Sequence, residues 1–129
     1  MLSQLSSYLT SIILGIMLFF SFVVAPITFT VLNEESSRKF IRKIFPYYYN
    51  VNLAVSFLIL IFYIILKTFS LDFYLILTVA ILFALSNFFL MPLINKYRDE
   101  NQDKKFKYSH FISVMINFIQ MILLVIILI

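Results

Sequence analysis

The stretch FISVMINFIQMILLVIILI, residues 111–129, is almost wholly Ile, Leu, Val, Met and Phe, yet Ser113, Asn117 and Gln120 interrupt it at steps of four and three. Extended in both directions, the same stepping joins Phe106, His110, Ser113, Asn117, Gln120 and Leu124. At 100° per residue these positions share one side of a helix. Polar groups turned to lipid go unsatisfied, so such a seam faces protein or enclosed water. It predicts a membrane-spanning helix and marks its inward side.

Three other runs, residues 5–32, 47–66 and 73–94, together with residues 108–129, contain no Asp, Glu, Lys or Arg. Each reaches the roughly 20 residues that cross a hydrocarbon core. Of 129 residues, 63% are hydrophobic and 12% charged, and the mean hydropathy is +1.03. A soluble domain of this size cannot hide that much apolar surface. The expectation is an all-α integral membrane four-helix bundle, one domain over residues 1–129. The first run lacks a basic leader and is too long for a signal-peptide core, so it reads as a mature helix. With no Cys, disulfides, thiolate metal sites and thiol catalysis are excluded.

The basic residues cluster between spans. Arg38, Lys39, Arg42 and Lys43 follow the first, and Lys96, Arg98, Lys104, Lys105 and Lys107 separate the last two. The middle connection has only Lys67, offset by Asp72. A topology signal explains this better than nucleic-acid binding, despite a pI of about 9.4. It predicts cytoplasmic basic loops near anionic lipid headgroups and both termini periplasmic. The abundance of Phe, Ile, Asn, Lys and Tyr, with one Gly and no Trp, fits an AT-rich bacterial genome. The expected location is therefore a bacterial cytoplasmic (inner) membrane. Asn33 is placed to cap a short interfacial helix through residues 36–45, with Glu34 and Glu35 in its first turn and Pro46 opening the second span.

The halves resemble each other at an offset of 66. Phe22, Pro26, Glu34, Lys39, Phe40 and Phe45 match Phe88, Pro92, Glu100, Lys105, Phe106 and Phe111. Two hairpins of one orientation would form a parallel repeat. Pro26 and Pro92 each free a carbonyl four residues back, at Phe22 and Phe88. The simpler reading is a kink rescued by neighbours such as Ser21 or Ser86; the sharper is a pair of kinks opening a cavity. Ser7, Ser11 and Gly15, like Ala80 and Ala84, have the small-xxx-small spacing of packed membrane helices. On that reading Gly15 tolerates enlargement least.

Asn52, Asn87 and Asn117 lie nine, nine and ten residues from Lys43, Lys96 and Lys107, so at 1.5 Å per residue all sit roughly 14 Å deep. A layer of amides bonded to one another is preferred to the alternative, a polar floor beneath a cavity. His110, the only histidine, stands about one turn past Lys107. A hydrogen-bonded packing role is the simplest for it, and a ligand role the alternative.

Gly15 with Met17-Leu18-Phe19-Phe20, then Phe22-Val23-Val24-Ala25-Pro26 and Phe29, resembles the first helix of the transmembrane protein 205-like family. Phe45-Pro46-Tyr47-Tyr48 resembles the start of its second helix, and Pro92, Asn95 and Arg98-Asp99 the end of its third. Phe106, His110, Ser113, Asn117 and Gln120 resemble the F-x3-H-x2-S-x3-N-x2-Q run of its last. The resemblance spans the chain and implies a four-helix bacterial membrane domain without established activity. More distantly, the chain is similar to copper-resistance D and HemJ-type protoporphyrinogen oxidase bundles.

No nucleophile–base pair, carboxylate pair or glycine-rich phosphate loop appears. The expected function is therefore a non-enzymatic membrane module binding lipid or a membrane-protein partner, including a second copy, with no cofactor. The alternative is a haem- or copper-handling protein using His110, since one protein ligand can hold haem. A transporter is disfavoured, because no Asp, Glu, Lys or Arg lies within a span.

Overall fold

In the computed structural model, which describes residues 1–129, every charge-free run lies in a helix to within its last residue. These are α1 (Leu2–Val31), α2 (Glu34–Ile65), α3 (Leu71–Asp99) and α4 (Asp103–Leu128), all long and apolar enough to cross a membrane. No strand occurs. The clustered cations belong mostly to helix ends rather than loops, because α2, α3 and α4 run past the charge-free segments at one end of the bundle, the basic end. Only Leu32 and Asn33 separate α1 from α2, and residues 100–102 separate α3 from α4.

Asn33 caps α2: its Oδ1 accepts from the Ser36 amide at 2.8 Å, with Glu34 and Glu35 in the first turn. The separate interfacial helix expected over residues 36–45 is not found. It is the first part of α2, which continues through Pro46. The proline removes one amide donor. Packing on both sides outweighs that loss, with the Phe45 ring 5.3 Å from Phe20 and 5.7 Å from Tyr49.

Each helix packs on its sequence neighbours and α1 closes against α4, giving a four-cornered ring without comparable diagonal contacts. Only 23 of 129 residues are buried, ten of them polar, including Ser6, Thr10, Ser56, Ser86 and Ser109. The exterior carries Phe, Ile, Leu and Val instead. A soluble bundle would aggregate with that surface, whereas lipid accepts it and drives polar groups inward.

Two features depart from expectation, the first in α1. Its buried face is Ser6, Thr10, Ile13 and Met17, so the Ser7–Ser11–Gly15 row, one residue on, is turned outward. Ser7 and Ser11 donate to carbonyls of their own helix, and a Cβ on Gly15 would meet no atom within 4 Å. Ala80 is buried and Ala84 half-buried, so the small pair on α3 does pack. The second departure lies at Pro26 and Pro92. Each follows a π-helical turn, Phe20–Val24 in α1 and Ser86–Leu90 in α3, closed by Ala25 N–H to Phe20 O and Met91 N–H to Ser86 O. The two turns stand 66 residues apart, like the prolines. A wider turn lets the chain pass a proline ring without breaking the helix. The repeat does not extend to the inward faces of α2 and α4: Phe40 is exposed, whereas its counterpart Phe106 is half-buried.

Candidate functional site

At the basic end the four helices separate around a partly enclosed cavity of about 440 Å³ lined by 23 residues. That volume falls within the usual range for small-molecule sites. Its position follows from the helices. The π turn of α1 carries Ser21 and Phe22 to the space, with Ala25 just after it, and Met91, next to Pro92, lines it from α3. The prolines themselves do not line it.

The floor is a hydrogen-bonded chain across three helices. The Tyr48 hydroxyl donates to Asn117 Oδ1 at 2.7 Å, and Asn117 Nδ2 donates to Ser21 Oγ at 2.9 Å. Tyr48 is packed by Phe20, stacked at 4.3 Å, and by Phe83, edge-on at 6.5 Å. These bonds use both ends of the Asn117 amide, which orients it without any contact to the other two asparagines.

The amides at equal depth therefore do not form the mutually bonded layer that sequence spacing favours. Asn87 is buried and donates to Asn50 Oδ1 at 2.8 Å. Asn52 is fully buried, and neither its Oδ1 nor its Nδ2 has a partner. Equal depth does not bring them together, because the helices carry them on different sides.

Along α4 the seam divides. Gln120, 1% exposed, donates to the Val79 carbonyl of α3 at 3.0 Å, and Leu124 is fully buried. Phe106, His110, Ser113 and Asn117 line the cavity instead. His110 is exposed, since the bundle has opened at its level, and its ring lies parallel to Phe106 with centroids 5.8 Å apart. Ser113 donates only within its helix, to the His110 carbonyl at 2.7 Å.

Three arginines reach the mouth: Arg38, Arg42 and Arg98. Arg38 pairs with Glu34 on its own helix. Arg42 ties α2 to α3 through Asp99, with Nη1 3.3 Å from Oδ2 and a shorter contact between Nη2 and Oδ1. That hydrogen bond is the main influence holding the Asp99 carboxyl, beyond the charge-free run, below its ordinary range. Arg98 has no carboxylate partner and lies over the Phe106 ring, 4.3 Å from its centroid. Arg42, Arg98 and Tyr48 escaped a reading centred on α4. A related stepping by fours and one three runs along α2 (Ser37, Ile41, Phe45, Tyr48, Asn52, Ser56) and points to Tyr48.

As a metal centre the site is poor. No group of three or more His, Asp or Glu side chains assembles anywhere in the chain. No side chain accepts from a His110 nitrogen, although a ligating histidine is ordinarily held by its second nitrogen. As a receptor for an amphiphile it is coherent: 14 of its 23 lining residues are hydrophobic, with cations at the mouth and hydroxyl and amide groups at the floor.

Residues 8–103 match the family model DUF4149, a domain of unknown function, and the chain belongs to that family. No curated protein and no solved structure matches it.

Proposed function

We propose that this member of the DUF4149 family is a non-catalytic lipid-binding module of a bacterial cytoplasmic membrane, seating one amphiphile in the cavity at its basic end. The observation that carries the reading is the joining, in one space of ligand size, of apolar walls from all four helices to a cationic mouth. The clustered cations support a cytoplasmic placement of that end, with both termini periplasmic. The narrower kinship to the transmembrane protein 205-like family rests on the sequence run from Phe106 to Gln120, which lies beyond the matched residues 8–103.

Native mass spectrometry of protein released from vesicles tests the reading, with one retained lipid per chain expected. Ser113→Phe fills the cavity without removing a bond between helices, so it should abolish retention while the melting temperature holds. A wild-type chain that emerges bare refutes lipid binding. The haem or copper alternative draws on the position of His110 in the same cavity. A Soret band or stoichiometric copper in wild-type protein, lost in His110→Ala, would establish it instead.

A further inference from the structure

We propose that the amphiphile is an anionic phospholipid whose phosphate is held by Arg98, an assignment that rests on the lipid-binding reading above. Among the 23 lining residues there is no Asp or Glu, and the charges that line the mouth are arginines. Its three arginines are not equivalent. Glu34 already meets the charge of Arg38, and Asp99 that of Arg42. Arg98 is half-buried and has no such partner.

Its geometry is that of a prepared receptor. The guanidinium rests 4.3 Å above the Phe106 ring, and Phe106 lies flat against His110, the two planes 4° apart. In that position its N–H donors have no protein acceptor and are free to form paired bonds to an oxyanion. Such charge-assisted, two-pronged bonds are the strong ones at a phosphate. The ion sits where the apolar walls begin. From Phe106 to Asn117 the cavity side of α4 spans eleven residues, roughly 16 Å at 1.5 Å per residue, enough for part of an acyl chain beneath the headgroup. A free phosphate would leave those walls empty.

The test uses the protein in vesicles of equal parts neutral, phosphate-free digalactosyldiacylglycerol and anionic phosphatidylglycerol of the same chain length, read by native mass spectrometry after mild detergent extraction. Wild-type protein should retain phosphatidylglycerol over the phosphate-free galactolipid by about tenfold, the scale of one charge-assisted contact. Arg98→Gln should bring the two lipids to near parity while a lipid is still retained. Arg38→Gln, whose cation is already paired, should keep the preference. Lys104→Gln with Lys107→Gln should keep it too, because these cations act only on bulk lipid. If Arg98→Gln fails to fold, Arg98→Lys keeps the charge without the fork, and a preference equal to wild type there overturns the assignment. Equal retention of both lipids by wild-type protein also overturns it, but leaves lipid binding standing; no retained lipid at all defeats the parent reading as well. Palmitate retained in place of phospholipid, from vesicles doped with it, rejects the phosphate.

Discussion

Asn52 is the residue least at peace with its surroundings. Its amide is fully buried with both polar atoms unpaired, a state worth about 1–3 kcal/mol of lost stability. Asn52→Leu keeps the size and removes the polar atoms. Thermal melting in detergent should therefore show a gain of about 1–2 kcal/mol. A loss would mean that Asn52 serves a partner from outside the chain. Asn117 is the opposite case, with both ends of its amide bonded across helices. Asn117→Leu strands the Tyr48 hydroxyl and should cost about 1–2 kcal/mol in the same assay. Gly15 shows how far one residue of register matters. Its spacing marks it as a packing position, yet an added Cβ meets no neighbour. Gly15→Ala should be neutral or stabilising by up to about 1 kcal/mol, because a mid-helix glycine carries excess backbone freedom in the unfolded chain.

At the scale of elements, helix ends and bends were unevenly legible. The Asn33 cap was readable, because a side chain that accepts from its own third neighbour needs no tertiary partner. The prolines at 26 and 92 announced bends, but not the π turns that absorb them, since the wider turn forms only where a helix must continue on both sides. The stop after α2 is strained: Lys67 takes φ 54°, and the Thr68 amide reaches back to the Tyr63 carbonyl at 3.0 Å. That left-handed position favours glycine. Lys67→Gly should raise stability by about 0.5–1 kcal/mol, visible as a higher melting temperature. A lower one would show that the lysine does more than end the helix.

For the whole molecule, orientation is the property with the widest consequences. Nine cations flank the two turns of the basic end, against Lys67 at the other. Alkaline phosphatase fused after Ile129 should be active and green fluorescent protein at the same site dark, as a periplasmic carboxyl terminus requires. The reverse pattern would put the cavity mouth at the outer surface, away from the anionic cytoplasmic leaflet. The polar interior and apolar exterior were legible because each span's composition reports its solvent, and lipid tolerates no unpaired polar group on any face.

Sequence alone determined four spanning helices, because a charge-free run of sufficient length has no other stable state in a bilayer. It also determined which side of α4 turns inward, since the stepping of Ser113, Asn117 and Gln120 is a property of one helix. What it left open was every relation between helices. Asn117 meets Tyr48 and Ser21 rather than Asn52 or Asn87, and Arg42 takes Asp99 while Arg98 is left to stack on Phe106. Depth along a helix follows from counting residues, but the facing partner depends on the rotation of each helix about its own axis. Packing of all four helices together sets that rotation, and with it the cavity.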